Sequence, residues 1–134
     1  MGDTILVVDD ELSDRNLMGV ILRAHGHIVL EGGDSYQAFG LFRQHEEQIT
    51  MVVTDIALPG ENGCEMAARM VKGKPDLIVL FVSGHTGAEI CRFYGFPVSD
   101  VHFLRKPFGA GEFIRRVHYL LDRAESLPEK FSAA

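Results

Sequence analysis

Short apolar segments alternate along the chain with segments in which apolar residues recur every three or four positions. The apolar segments follow one another at roughly 22- to 28-residue intervals and are residues 5–8, 28–30, 51–54, 77–82 and 101–104. Most of them are continuous rather than alternating, which is typical of strands that are covered on both faces of a sheet. The pattern therefore predicts five buried strands.

The segments between the predicted strands have helical periodicity. The first carries its apolar stripe at Leu17, Val20, Ile21 and Ala24. The second begins at Asp34, three residues before Gln37, which is the spacing of a capping box. The fourth, about residues 87–94, is short and weakly amphipathic, whereas the fifth, over residues 113–121, is the most regular. Strand and helix alternating five times predict an α/β fold, with a parallel sheet covered by helices on both faces.

Composition sets the broad class of the protein. The chain has 134 residues, of which 46% are hydrophobic and 24% charged, as expected for one globular domain. No apolar run approaches the roughly 20 residues that span a bilayer, and the N-terminus lacks the basic region of a secretory signal. Two cysteines suggest apolar fillers, and the six histidines show no metal-ligand spacing. A net charge of −6 argues against direct nucleic-acid binding. We therefore expect a cytoplasmic protein with no membrane segment.

Polar residues cluster where the predicted strands end. Asp9 and Asp10 follow the first strand, Asp55 the third, Ser83 the fourth and Lys106 the fifth. Any one of these acids could be a helix cap or a turn residue. Together they would meet beyond the carboxyl ends of parallel strands, where ligands bind in such folds. Carboxylates suit Mg²⁺, a lysine can neutralise a phosphoryl group, and a carboxylate can be a nucleophile. The set indicates phosphoryl transfer.

Four motifs in this order give the chain a family resemblance. They are ILVVDDE at 5–11, VVTDIALPGENG at 52–63, VLFVSG at 79–84 and FLRKPF at 103–108. Over most of its length the chain resembles the receiver domain of two-component response regulators, which is chemotaxis-regulator-like. The resemblance implies a doubly wound, flavodoxin-like fold with five parallel strands in the order 2-1-3-4-5 and five helices. It assigns residues 1–125 to the receiver domain and leaves residues 126–134 as a tail or linker stub.

The resemblance also implies a metal site. Asp55 corresponds to the phosphoacceptor and also contacts the metal. Asp10 corresponds to a direct Mg²⁺ ligand and Asp9 to a ligand acting through water. The backbone carbonyl of Ala57 completes the protein ligands.

A second group of residues corresponds to the phosphoryl-binding and switching side chains of the family. Ser83 matches the switch hydroxyl and Lys106 the conserved-motif lysine, and the bond to Pro107 is usually cis in such domains. Phe103 matches the aromatic residue that moves inward when the hydroxyl engages phosphate. Ser83 could instead be a plain turn serine, and Phe103 a packed strand residue.

Two further positions vary within the family and bear on rates. Ala57 offers no side chain to position an attacking water, and His85 could shield the phosphoryl group. We hypothesise that these two residues set the lifetime of the phosphorylated aspartate.

The resemblance implies a phosphorelay function. A histidine kinase or phosphotransfer protein would phosphorylate Asp55. Phosphorylation would then change the surface formed by the fourth helix, fifth strand and fifth helix, and with it the affinity for an unknown downstream protein or for a second copy of the chain. Beyond its own phosphorylation and dephosphorylation, no enzymatic activity is expected. We expect either a freestanding regulator or a receiver excised from a hybrid histidine kinase, because no effector domain follows residue 125.

Two alternatives use the same fold. A small Mg²⁺-dependent phosphohydrolase could use an aspartyl nucleophile, although Ile56-Ala57 after Asp55 is not the usual DxD arrangement. A flavin carrier would need a phosphate loop rich in small residues after the first strand, where this chain has acids.

Overall fold

The computed structural model describes residues 2–84 and 102–126 of the chain. Strands and helices alternate as the hydrophobic pattern predicts. Their bounds are β1 Thr4–Val8, α1 Leu12–Ala24, β2 Ile28–Gly32, α2 Ser35–Gln44, β3 Ile49–Asp55, α3 Gly63–Gly73, β4 Ile78–Ser83, β5 Phe103–Arg105 and α4 Ala110–Ser126. The helix predicted at about residues 87–94 and the tail after Ser126 lie outside the described residues, so α4 corresponds to the predicted fifth helix.

The five strands form one parallel sheet in the order β2-β1-β3-β4-β5. The doubly wound, flavodoxin-like α/β fold and the predicted strand order are therefore confirmed. Each strand differs from its apolar run by one or two residues at an end. The two-residue differences are that β2 continues to Gly32, β3 begins at Ile49 and β5 begins only at Phe103. This order makes β1, β3, β4 and β5 neighbours, so their carboxyl ends lie along one edge of the sheet.

The core has two layers because successive residues of a strand face opposite sides of the sheet. Leu6 and Val8 of β1 join a cluster that includes Phe42 of α2 and Met66 and Met70 of α3. The alternate residues of β1, Ile5 and Val7, join a second cluster with apolar residues of α1 and α4. These include Met18, Leu22, Phe113 and Val117. Helices cover both faces, as continuous apolar strands require.

The buried stripe predicted for α1 is wrong at several positions. Leu17 is 51% exposed and Val20 is 62% exposed, whereas Met18 and Leu22 are buried. Nearly every position from 17 to 22 is apolar, so periodicity alone does not select the inner face. Packing against β2 and α4 selects it.

Two helices begin with side-chain caps. At α2 the carboxylate of Asp34 accepts the backbone N–H of Gln37 at 2.7 Å, while the Gln37 side chain accepts the N–H of Gly33 at 2.7 Å. At α3, Asn62 and Glu65 form a full capping box, which orders the loop between β3 and α3.

Cys64, in the first turn of α3, is fully buried and disulfide-bonded, so it is not the simple apolar filler that the sequence suggests. The other cysteine, Cys91, lies outside the described residues. Among the described helices, none is both long enough and apolar enough to cross a membrane.

Candidate functional site

Strand order explains why distant residues meet at one edge of the sheet. Asp9 directly follows β1, Asp55 ends β3, Ser83 ends β4, and Lys106 follows β5. Each of these strands is hydrogen-bonded to the next in the sheet. The structure thus brings together the acids, the hydroxyl and the ammonium group that the sequence places at strand ends.

Three carboxylates form the acidic part of this site. One oxygen atom from each of Asp9, Asp10 and Asp55 lies within 4.8 Å of the others. Asp9 is fully buried and Asp55 is nearly so, while Asp10 is exposed. An all-oxygen donor set with one side open to solvent fits Mg²⁺, which retains several waters in protein sites.

Lys106 binds two of these acids, Asp9 and Asp55, and one further carboxylate. Its Nζ lies 2.7 Å from Oδ2 of Asp9 and 3.0 Å from Oδ2 of Asp55. It also lies 3.0 Å from Oδ2 of Asp14, on α1. Burial alone would lower the pKa of Lys106, but its hydrogen bonds to these three carboxylates outweigh burial and raise the pKa. The ammonium group therefore stays charged, and the Lys106–Pro107 peptide bond next to it is cis, in keeping with the resemblance.

Asp9 is the most enclosed of the acids. Burial raises its pKa, although the hydrogen bonds from Lys106 and from the Glu11 N–H, which donates at 2.9 Å, act in the opposite direction. Nη1 of Arg15 donates to the Asp9 carbonyl at 2.7 Å, and Nε of Arg15 pairs with Glu31 at 3.4 Å. Arg15 therefore ties the loop that carries Asp9 and Asp10 to β2.

Sequence reasoning missed Asp14 and Arg15. Both lie on α1, one turn after the acidic pair, at positions that any solvated helix face would fill with charge. The only available signal was their spacing of four and five residues from Asp10, which places helix residues next to the β1–α1 loop.

Asp55 has hydrogen-bond donors on both carboxylate oxygens. Oδ1 accepts Ser83 Oγ–H at 3.0 Å and the backbone N–H of Ala57 at 3.1 Å, and Oδ2 accepts Lys106. Gly63 packs against the backbone of Asp55 so closely that a Cβ there would collide with the Asp55 carbonyl oxygen. The first turn of α3 therefore rests directly on the strand end that carries Asp55.

Phe103 and His85 are the predicted site residues that have not yet been located in the structure. Phe103 is half-buried and packs against the core cluster on the side of the sheet that α2 and α3 cover. Its backbone carbonyl accepts a hydrogen bond from Nη1 of Arg116 at 2.8 Å. His85 lies outside the described residues. Beside Lys106 a pocket of about 330 Å³ opens to the surface, lined by Asp14, Leu17, Lys106, Pro107 and Phe108.

Sequence comparison with known proteins agrees with the site described above. The family model of the response regulator receiver domain matches residues 5–118. Aerobic respiration control protein ArcA of Escherichia coli K12 is 31% identical over 123 residues, covering 92% of this chain and 50% of ArcA. The chain thus spans about half the length of the curated relatives it matches.

Solved structures give the same result. NtrX from Brucella abortus is 28% identical with a TM-score of 0.83, covering 100% of this chain and 30% of NtrX. A receiver domain protein from Clostridium thermocellum, 24% identical, has the same fold with a TM-score of 0.81, covering 93% of this chain and 98% of that one.

Receiver domains are signalling modules that interact with histidine kinases and typically use Mg²⁺. A phosphohydrolase is not favoured by these matches. Because the family model covers most of the chain, and because the acids, hydroxyl and lysine meet at one sheet edge, the chain belongs to the response regulator receiver family of two-component signalling.

Proposed function

We propose that Asp55 accepts a phosphoryl group from a histidine kinase or a phosphotransfer protein, in a Mg²⁺-dependent step of a phosphorelay. The observation that carries this proposal is the hydrogen bonding of Asp55. Its two oxygens contact a hydroxyl and an ammonium group, and two further carboxylates lie beside it. Those are the parts that phosphoryl transfer needs: a nucleophile, charge neutralisation and a cation site.

In this proposal Asp9, Asp10 and Asp55, with the backbone carbonyl of Ala57, hold the magnesium ion. When bound, Mg²⁺ neutralises the charge of the phosphoryl oxygens and the mutual repulsion of the three carboxylates. The close approach of their oxygen atoms, with one side open to solvent, supports this assignment.

The side chains of the chain then have distinct roles. A carboxylate oxygen of Asp55 attacks the phosphorus atom, the P–N bond of the donor's phosphohistidine breaks, and the imidazole leaves. Lys106 and Ser83, which now bind the Asp55 carboxylate, transfer their hydrogen bonds to phosphoryl oxygens. The pocket beside Lys106, with Leu17 and Phe108 in its walls, offers space next to the site for part of the donor protein.

The switch that follows is proposed to involve Phe103. When Ser83 turns toward the phosphoryl group, Phe103 moves into the space that it leaves. This changes a surface formed by the predicted fourth helix, β5 and α4. That surface carries the exposed bases Arg105 and Arg115 and fits an acidic downstream protein or a second copy of the domain.

The domain bounds, the location and the range of activities of this chain are also proposals. We propose residues 1–125 as the receiver unit, with residues 126–134 as a tail, and no enzymatic activity beyond phosphorylation and dephosphorylation of this domain. We also propose a cytoplasmic location and no direct nucleic-acid binding by this domain, and its net charge of −6 supports the second point. The transcriptional regulatory protein ResD of Bacillus subtilis matches this chain over 48% of its own length, so about half of that relative lies outside the matched region.

Intact-mass spectrometry after incubation with acetyl phosphate tests the proposal. Wild type should gain the mass of one phosphoryl group only when Mg²⁺ is present, and Asp55→Asn should gain none. Asp76→Asn, which changes an exposed acid before β4, is the matched control and should behave like wild type. Phosphorylation that persists in Asp55→Asn, or that is independent of Mg²⁺, contradicts the proposal.

The lifetime of the phosphorylated state is proposed to depend on Ala57 and His85. Ala57 is exposed beside Asp55, so an asparagine there could orient a water toward the phosphorus atom. Loss of the phosphoryl mass should be faster in Ala57→Asn than in wild type. An unchanged decay rate would remove Ala57 from this role.

A further inference from the structure

Three histidines lie together at the opposite end of the sheet from Asp55. His25 follows α1, His27 precedes β2, and His118 lies on α4. Nε2 of His27 is 3.0 Å from Nε2 of His118. The ring of His25 meets that of His118 edge-on, with centroids 5.7 Å apart. The sequence separates His118 from the other two by more than 90 residues, so their spacing gave no sign of this cluster.

The hydrogen bonds at this cluster define which nitrogens carry protons. The backbone N–H of Asp3 donates to Nδ1 of His27 at 3.1 Å, so His27 carries its proton on Nε2 and donates it to His118. Nδ1 of His25 lies 3.0 Å from the Ile21 carbonyl. A carbonyl only accepts, so Nδ1 of His25 is the donor and the lone pair of that ring is on Nε2.

The surroundings of His27 favour its uncharged form. Burial lowers the pKa of His27, and the facing ring of His118 lowers it further, with a smaller opposing effect from the carboxylate of Asp3. Neutral imidazole is the form that binds metal ions.

We propose that His27 and His118, with His25 as a third ligand, form a binding site for a divalent transition-metal ion such as Zn²⁺. Two nitrogens bound to one tetrahedral Zn²⁺ lie roughly 3.3 Å apart, close to the observed separation of the two Nε2 atoms. His25 has the arrangement common among metal-bound histidines, whose second ring nitrogen donates to a backbone carbonyl. Its side chain is exposed, so a tilt of its ring toward the pair that keeps this hydrogen bond displaces no core residue.

The ligand class follows from the donor atoms. Imidazole nitrogens suit Zn²⁺, Ni²⁺ and Cu²⁺, whereas Mg²⁺ prefers the oxygen atoms at the other end of the sheet. The site would join α4 to the turn between α1 and β2, where Gly26, with φ of +86°, reverses the chain between His25 and His27.

Binding would leave a specific mark on Asp3. An ion on Nε2 of His27 moves the ring proton to Nδ1, which then no longer accepts the N–H of Asp3. The carboxylate of Asp3, which acts electrostatically on His27, can accept the new Nδ1–H. The backbone amide resonance of Asp3 should therefore shift on zinc binding. The shift would come from the change of tautomer and not from direct contact with the ion.

Isothermal titration of the untagged chain with Zn²⁺ tests the proposal, with Mg²⁺ in excess to occupy the carboxylates. One ion should bind per chain. His27→Gln and His118→Gln should each weaken binding at least tenfold, and His25→Gln should weaken it less. His45→Gln, which changes the histidine after α2, is the matched control and should bind like wild type.

A second measurement separates loss of a ligand from loss of the fold. Circular dichroism of each variant without zinc should match wild type, and the Asp3 amide should shift with zinc only in proteins that bind it. The proposal is overturned by zinc binding that survives both the His27 and the His118 variants, by binding that excess Mg²⁺ abolishes, by absence of binding, or by a stationary Asp3 amide.

Discussion

The two ends of the sheet solve the problem of crowded polar groups in different ways. At the carboxyl end, the side chains of Asp9, Asp14 and Asp55 surround the ammonium group of Lys106. At the amino end, His27 and His118 are joined by a hydrogen bond between two rings. The carboxyl end therefore depends on a cation, from the protein or from solution, whereas the amino end depends on where one proton lies.

The two ends also differ in the backbone arrangement that brings their residues together. At the carboxyl end, residues gather because strand ends lie side by side, and a glycine lets α3 approach Asp55. At the amino end, they gather because the tight turn between α1 and β2 lies against His118 of α4. The first arrangement follows from fold topology and the second from the packing of particular helices.

Removal of Lys106 should have the largest effect. Lys106→Ala leaves three carboxylates without their ammonium partner, and we expect it to lower the free energy of unfolding by about 3 kcal/mol in metal-free buffer. Mg²⁺ should restore more stability to this variant than to wild type, because the ion replaces the missing charge. Urea denaturation with and without Mg²⁺ measures both effects. Lys72→Ala, at an exposed position of α3, is the control, and equal stability of the two variants would contradict the prediction.

Glycine substitutions should separate the two kinds of backbone approach. Gly63→Ala pushes a methyl group into the Asp55 backbone and should cost about 2 kcal/mol. Gly26→Ala, at the positive φ between His25 and His27, should cost about 1 kcal/mol. Thermal or urea unfolding measures these losses.

The control for both is Gly40→Ala, inside α2, where the new methyl group meets nothing within 4 Å. It should raise stability by about 0.5 kcal/mol or more, because alanine is the better helix former. A Gly63→Ala protein as stable as Gly40→Ala would show that the close approach of α3 is not needed.

Acid should weaken the amino end. Because the pKa of His27 is lowered in the folded state, the unfolded chain binds more protons below the ordinary value of 6.5. The contribution of His27 to stability is therefore complete above that pH and is lost as the pH falls through and below it. Unfolding free energies between about pH 7.5 and about pH 5 should fall less steeply in His27→Gln than in wild type. An identical slope, or the same flattening in His45→Gln, would contradict this assignment.

The smallest expected effect is the coupling between the two ends. If both proposed metal sites exist, the stabilisation by Mg²⁺ and by Zn²⁺ should add within about 0.5 kcal/mol, because the sites share no residues. Thermal unfolding with each ion alone and with both measures the sum. A larger deviation would mean that the ions compete for the same carboxylates or that the two ends communicate.

The residues of the two ends of the sheet differ in how well the sequence predicts that they meet. Asp9, Asp10, Asp55, Ser83 and Lys106 were predictable because each directly follows an apolar strand, and parallel strands bring such positions to one edge. Asp14 and Arg15 were not, because charged residues on an amphipathic helix look alike whether they reach a site or water. The inner face of α1 was misassigned for a related reason, since apolar residues surround the helix at positions 17–22.

By itself the sequence determined the alternation of strands and helices, the parallel sheet and the chemistry at the strand ends. These depend on local periodicity and on general rules of strand connection, which act over short distances along the chain. Only the tertiary structure decided that Lys106 also bonds Asp14 and that His118 meets His27, because both contacts depend on how helices pack against the sheet. Each contact joins residues more than 90 positions apart, and no pattern along the chain encodes their distance.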